Sequence, residues 1–317
     1  MHDPVRSVAR QVWRNANPDN GPDKGLGEGS RLIPEETAIA LTYDGGTYAV
    51  MMGTPKDLAD FAIGFSLSEG IVQSPADIAS LDIVDLDGGI ELRMWLAPEK
   101  AALINERRRH IAGPTGCGIC GVYSIAEAVR PAAIVPKGRT FSPREIMAAM
   151  AAIAPLQQIN IETRAVHAAA FWRPSRGIVA LREDVGRHNA LDKLAGALAQ
   201  ENVSAAEGMV LLTSRVSVEM VQKTAAIGAP LLVAVSAPTA LAVRTADTAG
   251  ITLAAIARSD GFEVFTHPER IAVAKAFSSE VGTGSHSNQV YADCVDLSAA
   301  ENASEEKTSA KETADVA

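Results

Sequence analysis

Three short and almost uninterrupted apolar runs constrain the fold of this chain more than any other feature. They are residues 209–212, 231–235 and 251–256. Runs of this length and composition are typical of strands that lie buried on both faces of a sheet. Helical patterns separate them, at about residues 188–200, 217–227 and 239–248. The alternation predicts a mostly parallel α/β sheet with helices on both faces.

The first part of the chain shows a different pattern, in which apolar segments come in pairs around tight turns. Residues 39–43 and 48–52 flank one Asp-Gly turn, and residues 83–86 and 90–96 flank another. Such turns are typical of antiparallel hairpins. Thr54 and Pro55 then begin a helical pattern that ends at Gly70 and keeps its apolar residues on one face. This pattern predicts a helix that covers the sheet.

Composition and capping signals divide the chain into four parts. Ser142, Pro143 and Glu145 form a capping box at the start of a new helical pattern, so we place a boundary there. The predicted parts are a flexible N-terminal segment (1–31), an N-terminal antiparallel α+β part (32–141), an α/β part (142–277) and a disordered acidic tail (278–317). The two end segments contain few large apolar residues, and we therefore expect neither to fold.

Charge and hydropathy exclude several classes of protein. The formal net charge is −9, but the tail contributes eight acidic residues against two lysines, so the remainder is nearly neutral. We therefore expect no nucleic-acid binding. The sequence contains no run of eighteen apolar residues and no secretory signal, and its three cysteines are too few for a disulfide framework. These features predict a cytoplasmic protein without a membrane span.

Cys117 and Cys120 lie among glycines in the segment Thr-Gly-Cys-Gly-Ile-Cys-Gly, which is the most informative short stretch of the sequence. A zinc site needs a second pair of ligands, but Cys294 lies in the acidic tail and the histidines show no paired spacing. Flanking glycines disfavour the helix N-terminus of a thioredoxin-type site. A zinc deaminase needs a His-x-Glu motif before its cysteines, whereas His167 follows them and precedes alanines. The pattern favours a nucleophilic sulfur that accepts a sulfur atom from one partner and passes it to another.

A second segment that could bind a ligand is residues 183–193, where a strand leads into a helix. Gly186 permits a tight turn, and Arg187 and His188 follow at the start of the helix, a favourable place for an anion such as phosphate. An equally good interpretation is that the charged residues of this segment pair with each other along the helix surface. The chain has no Walker loop and no Gly-x-Gly-x-x-Gly after a strand, so any nucleotide site is built differently.

The carboxyl ends of the predicted parallel strands form a third candidate site, because ligands of α/β sheets bind there. The residues at these ends are Thr213, Ser214, Arg215, Ser236, Arg258, Ser259, Asp260 and Gly261.

At these residues the chain resembles the FdhD family of formate dehydrogenase accessory sulfurtransferases. The matching stretches are residues 51–52 and 55–58, 64–70, the loop around Cys117 and Cys120, 167–170, 183–193, 214–215, 219–223 and 266–268. They extend over about residues 35–270, and their combination is specific.

The resemblance implies a cytidine-deaminase-like α/β sandwich, a homodimer and no catalytic zinc. It also implies that a cysteine desulfurase loads a persulfide onto Cys117, with Cys120 as its neighbour. The sulfur then passes to the molybdenum bis(molybdopterin guanine dinucleotide) cofactor destined for formate dehydrogenase. The cofactor-binding segment that the resemblance implies consists of Ile256, Ala257, Arg258, Ser259, Asp260 and Gly261, and Ser214, Arg215, Arg187 and His188 are further candidates. Two alternatives remain open, a chaperone that delivers the cofactor without sulfur chemistry and a zinc-stabilised binding module.

Overall fold

The computed structural model describes residues 3–13, 26–100 and 130–272 of the chain. The segment with Cys117 and Cys120 lies outside the described residues, as do Cys294 and the predicted acidic tail. The described residues belong to one compact unit, and the two central parts predicted from the sequence are layers of this unit.

A four-stranded sheet forms the first layer, as the paired apolar segments predict. Its strands are β3 (Thr37–Tyr43), β4 (Gly46–Gly53), β5 (Ile78–Leu86) and β6 (Gly89–Leu96), in the order β4-β3-β6-β5. Both predicted hairpins are confirmed, because β3 pairs antiparallel with β4 and β5 pairs antiparallel with β6. Helix α1 (Leu58–Ser68) covers one face of the sheet and buries Phe61 and Phe65 against Leu41 and Leu92.

The prediction of a flexible segment over residues 1–31 is wrong for most of its described residues. Strands β1 (Val5–Val12) and β2 (Gly27–Pro34) pair antiparallel along their full length. Arg31 also donates a hydrogen bond to the backbone carbonyl of Thr163, 3.2 Å away. The prediction took into account only how much apolar surface the side chains can bury. Backbone hydrogen bonds and a contact with a distant part of the chain hold this ribbon instead.

A six-stranded sheet forms the second layer. Its strands are β7 (His167–Arg173), β8 (Gly177–Asp184), β9 (Met209–Leu212), β10 (Leu231–Ala234), β11 (Thr252–Arg258) and β12 (Gly261–Val264), in the order β12-β11-β10-β9-β7-β8. The predicted parallel ladders join β9 to β10 and β10 to β11. The other ladders are antiparallel, so the sheet is mixed and the prediction of a mostly parallel sheet needs correction. The reason is that short turns connect β7 to β8 and β11 to β12, and only antiparallel neighbours can be joined so closely.

Helices cover both faces of this sheet. Helices α4 (Arg187–Gln200), α5 (Val218–Ile227) and α6 (Ala240–Ala249) bury their apolar residues in the cluster on one face. Helix α2 (Pro143–Ala151), which begins with the predicted capping box at Ser142, packs on the other face with Phe141. The short helix α3 (Gln158–Thr163) precedes β7. None of the described helices has the length and apolar composition needed to span a bilayer.

Helix α1 joins the two layers by packing against α4. The helices approach through two glycines, because a Cβ on Gly64 would lie 1.7 Å from the carbonyl oxygen of Asp192 and one on Gly196 would lie 2.0 Å from that of Asp60. No side chain fits at either position, so both glycines are required by the close crossing of the helices.

Candidate functional site

The structure brings the predicted ligand residues to one edge of the six-stranded sheet. Leu212, Ala234 and Ala169 are neighbours in register, so β9 and β10 end where β7 begins. Strand β8 ends at the same edge, because Asp184 pairs with His167 at the start of β7. The turn between β11 and β12 lies there too. We call this edge, at residues 167, 184–188, 213–219, 235–239 and 256–261, the carboxyl edge.

A buried carboxylate shapes the start of α4 at this edge. Asp184 Oδ2 accepts hydrogen bonds from Lys193 Nζ (2.6 Å) and from the backbone N–H of Thr54 (3.0 Å). Its Oδ1 accepts from the backbone N–H of Gly186 (2.8 Å) and from Asn189 Nδ2 (3.1 Å). With both oxygens occupied and its side chain fully buried, Asp184 is a structural residue rather than a ligand contact.

Lys223 of α5 anchors a second buried network, between α4 and the end of α1. Its Nζ lies 2.8 Å from Asp192 Oδ1, 3.0 Å from Ser68 Oγ and 3.3 Å from Glu69 Oε1. Burial by itself lowers the pKa of Lys223, but the carboxylates of Asp192 and Glu69 outweigh it and raise the pKa. The lysine is therefore charged and neutralises the buried Asp192 and the partly exposed Glu69.

All three acids of the 183–193 segment are thus committed to the fold. Glu183 accepts hydrogen bonds from the backbone N–H groups of Ile159 (2.9 Å) and Asn160 (2.8 Å) at the start of α3. The residues of this segment that remain available at the carboxyl edge are Arg187 and His188, which the sequence identified as candidates.

A cluster of polar groups surrounds the first turns of α4 and α5. His188 Nε2 lies 3.8 Å from Glu219 Oε2, a distance too long for a direct hydrogen bond. The Nε atom of Arg187 and the Nε2 atom of His188 are both buried, and neither has a hydrogen-bond partner among the described residues. Buried polar atoms without a partner are rare and costly, and they mark a place where a ligand or water can be accommodated.

The surroundings of His188 and Glu219 determine the charge of each side chain. Burial, followed by the positive charges of Arg187 and Lys223, lowers the pKa of His188 to about 4. Burial alone would raise the pKa of Glu219, but the Ser217 hydroxyl, the backbone N–H of Glu219 and the Arg187 guanidinium lower it overall. Near pH 7 His188 is therefore neutral and Glu219 is ionised.

Glu219 is the functional candidate that the sequence did not single out. It occurs in a stretch that resembles the family, but no motif separates it from an ordinary acid in the first turn of a helix. Its side chain is 45 % exposed, whereas that of His188 is 22 % exposed. Only the packing of α4 beside α5 reveals that the two meet.

The 256–261 segment forms a hairpin turn with an unusual backbone. Ile256 has a φ of +55°, which is a strained conformation for a β-branched residue. Its strand pairs regularly at Ala255 and again at Arg258, with a bulge between them. Ile256 is half-buried, yet it packs against none of the apolar clusters in the part of the chain that the structure describes. Bulges occur beside functional sites, where they redirect side chains.

The remaining candidates differ in how accessible they are. Arg258, Ser259 and Asp260 are exposed at the hairpin turn, and Arg215 is exposed after β9. Ser214 is buried and donates a hydrogen bond to the backbone carbonyl of Arg215, 3.1 Å away. A ligand at the carboxyl edge can reach the three exposed turn residues and Arg215 directly, whereas Ser214 supports the backbone beneath them.

The catalytic candidates Cys117 and Cys120 lie outside the described residues, and Arg130 is the first described residue after them. Arg130 donates hydrogen bonds to the backbone carbonyls of Ser68 (2.7 Å) and Glu69 (3.2 Å) at the end of α1. Gln222 of α5 donates to the backbone carbonyl of Arg130 (2.8 Å). Arg130, the first described residue after Cys120, is therefore attached next to the Lys223 network.

No group of three or more His, Cys, Asp or Glu side chains within residues 3–13, 26–100 and 130–272 is arranged to hold a metal ion. The buried acids are paired with Lys193, Lys223 or backbone N–H groups, which compete with a metal for their oxygens.

Comparison with known proteins places the chain in a family. Residues 34–272 match the FdhD/NarQ family. The sulfur carrier protein FdhD of Agrobacterium fabrum is 49% identical over 270 residues, which are 84% of this chain and 96% of that protein. The one from Brucella abortus is 52% identical over 248 residues, 78% of this chain and 92% of that protein.

A solved structure shares the fold. The crystal structure of a formate dehydrogenase accessory protein from Desulfotalea psychrophila superposes with a TM-score of 0.64 at 24% identity, covering 84% of this chain and 99% of that one. The match of sequence over most of the chain, together with this likeness of fold, shows that the chain belongs to the FdhD/NarQ family.

Proposed function

We propose that this protein is a sulfurtransferase that carries sulfur as a persulfide on Cys117 and delivers it to the molybdenum bis(molybdopterin guanine dinucleotide) cofactor required by formate dehydrogenase. The observation that supports this proposal most is the identity of about half with proteins named sulfur carriers, over most of the chain. The Cys117 and Cys120 loop supplies the nucleophile that such chemistry needs.

In the loading step, the thiolate of Cys117 attacks the outer sulfur of a persulfide on a cysteine desulfurase. A new sulfur–sulfur bond forms on Cys117, the old one breaks, and the desulfurase cysteine leaves as a thiolate, so atoms and charge balance. Cys120 is the neighbour of the loaded cysteine in this proposal. The cofactor is the substrate that receives the sulfur.

The carboxyl edge is where we propose that the cofactor binds. Arg258 and Arg187 are the cations suited to its phosphates, because charge-assisted hydrogen bonds to phosphate are stronger than neutral ones. Ser259, Asp260 and Gly261 extend the site along the hairpin turn, and Ile256 and Ala257 form the bulge beneath it. Ser214, Arg215 and His188 complete the edge.

The family resemblance adds proposals that concern the whole protein. We propose a cytidine-deaminase-like arrangement of the α/β sandwich, a homodimer and a cytoplasmic location. We also propose that the protein contains no resident zinc, and metal analysis that found stoichiometric zinc resistant to chelators would contradict this.

Mass spectrometry after incubation with a cysteine desulfurase and cysteine tests the sulfur-carrier proposal. The wild-type chain should gain about 32 mass units, the mass of one sulfur atom. Cys117→Ala should gain none and should not support formate dehydrogenase maturation, whereas Cys294→Ala is the matched control that should behave like the wild type. If Cys117→Ala supported full maturation, the protein would be a cofactor chaperone without sulfur chemistry.

A further inference from the structure

The carboxylate of Glu219 lies at the carboxyl edge, in the first turn of α5, beside the Ser217 hydroxyl and its own backbone N–H. Its Oε2 atom lies 3.8 Å from His188 Nε2. The Arg187 guanidinium is close enough to lower the pKa of Glu219, and its buried Nε atom lacks a partner among the described residues. Asp184, Asp192 and Glu183 hold lysines or backbone N–H groups through short hydrogen bonds. Glu219 differs from these acids because half of its side chain remains accessible.

The ionised Glu219 carboxylate accepts hydrogen bonds, and the His188 Nε2 and Arg187 Nε atoms near it have no hydrogen-bond partner in the described part of the chain. Together these groups are complementary to a ligand with a particular order of donors and acceptors along one edge. The ligand must donate N–H groups to the carboxylate and offer an oxygen acceptor next to them. Guanine has this arrangement, because its N1–H and exocyclic amine lie beside its O6 oxygen. Adenine places a ring nitrogen with a lone pair next to its amine, and this lone pair would face the negative charge of Glu219.

We propose that Glu219 is a specificity-determining residue that recognises a guanine base of the cofactor through its N1–H and exocyclic amine, with Arg187 donating to O6. This inference rests on the proposed function, which supplies a guanine-bearing substrate at the same edge. The base then lies against the first turns of α4 and α5, and the phosphates extend toward Arg258. The arrangement also gives the buried Nε–H of Arg187 the acceptor that it lacks.

Two carboxylates at the carboxyl edge compete for this role, and their environments distinguish them. Asp260 is exposed to solvent in the hairpin turn. Glu219 is partly enclosed beside Arg187. A hydrogen bond to a partly desolvated carboxylate discriminates between ligands better than a hydrogen bond to an exposed carboxylate does.

Isothermal titration of the full chain with GDP, IDP and ADP tests the inference. Inosine lacks the exocyclic amine of guanine, so wild-type protein should bind GDP more tightly than IDP and much more tightly than ADP. Glu219→Gln places an amide N–H against the N–H donors of the base. It should weaken GDP binding about tenfold or more, to near the affinity of the wild-type protein for IDP. Its melting temperature should change by only a few degrees, since only a favourable charge in the first helical turn is lost.

The control is Glu207→Gln, which removes an exposed carboxylate before β9, at the opposite edge of the sheet, and should leave the ratio of GDP to IDP affinity unchanged. If Glu219→Gln kept the wild-type ratio, or if Asp260→Asn abolished it, the inference would be overturned. Equal wild-type affinity for GDP and IDP would overturn it as well. If the wild-type chain bound no guanine nucleotide, the proposed cofactor site would fail with it, while the separate persulfide measurement would still decide the sulfur-carrier role.

Discussion

Asp184 and Lys193 form an ion pair of 2.6 Å in which neither side chain is exposed to solvent. The pair connects the end of β8 to α4, and the same carboxylate and ammonium groups bind the backbone N–H and carbonyl of Thr54. The first layer of the fold is thereby attached to the turn that precedes Arg187 and His188. The carboxyl edge thus depends on a buried charge pair.

Removing one member of this pair should be far more damaging than removing an exposed charge. Lys193→Met leaves the Asp184 carboxylate buried without its counter-ion, and we expect a loss of about 3–5 kcal/mol in the free energy of unfolding, measured by urea denaturation. Asp184→Asn in the same background should recover part of this loss. A Lys193→Met variant as stable as the wild type would show that the pair does not hold the layers together.

The crossing of α1 and α4 should not tolerate a single added methyl group. Gly64→Ala and Gly196→Ala each force backbone atoms apart, and we expect each to cost at least about 1–3 kcal/mol despite the better helix propensity of alanine. Gly29→Ala is the matched control, because no atom lies within 4 Å of the position that its Cβ would occupy. Chemical denaturation of the three variants measures the difference.

Strain at Ile256 predicts an unusual response to glycine. Glycine adopts the left-handed conformation without the penalty of about 1–2 kcal/mol that other residues incur. Ile256→Gly should therefore change the free energy of unfolding by less than about 1 kcal/mol, in either direction. The same substitution at Ile251, which is fully buried, should cost at least about 2–5 kcal/mol. Equal losses at the two positions would mean that the backbone at Ile256 is not strained.

His188 should make the fold less stable in mild acid. Its pKa is lowered to about 4 in the folded protein, first by burial and then by Arg187 and Lys223, from an ordinary value of 6.5. The unfolded chain therefore binds a proton between about pH 6.5 and 4 that the folded chain does not, so stability falls as the pH drops through this window. Between pH 7 and pH 5 the loss should reach about 2 kcal/mol.

Urea denaturation at both pH values measures this effect, and His188→Gln, which cannot be protonated, should reduce the loss. Burial also lowers the pKa of His167, so a smaller dependence in the same direction should remain in that variant. An unchanged pH dependence in His188→Gln would exclude His188 as the source.

Arg258 should contribute to cofactor binding without affecting sulfur loading. Arg258→Ala removes a charge-assisted hydrogen bond to phosphate, which should weaken GDP binding about tenfold or more. Persulfide formation on Cys117 should be unchanged. Arg176→Ala is the matched control, since Arg176 is also exposed but lies in the turn between β7 and β8 at the opposite edge of the sheet. If Arg258→Ala bound GDP as tightly as the wild type, the phosphates would bind elsewhere.

Several features were predictable from the sequence because their signals lie within a few residues of each other. The capping box at Ser142 and Glu145 and the turn after Tyr43 each involve neighbours in the chain, and the structure confirms both. The apolar runs of β9, β10 and β11 likewise identified the parallel core of the sheet. The family resemblance rests on similar local motifs.

The roles of the charged residues in 183–193 could not be predicted from such local signals. Asp184 and Asp192 look like surface or ligand residues, but Thr54 and Lys223 satisfy them from distant parts of the chain. Their burial depends on where α1 and α5 pack, which no local pattern records. Glu219 became a candidate for the same reason, since it meets His188 only across the contact between α4 and α5.

The sequence by itself determined the α/β class, the positions of most helices and strands and the membership of the family, because periodicity, turns and motifs are local properties of the chain. Tertiary structure decided the direction of β7 and β12 in the mixed sheet, the pairing of β1 with β2, and which charged residues remain available at the carboxyl edge. Strand pairing and the burial of charge depend on contacts between residues far apart in the chain, and their energies are set only when the layers come together.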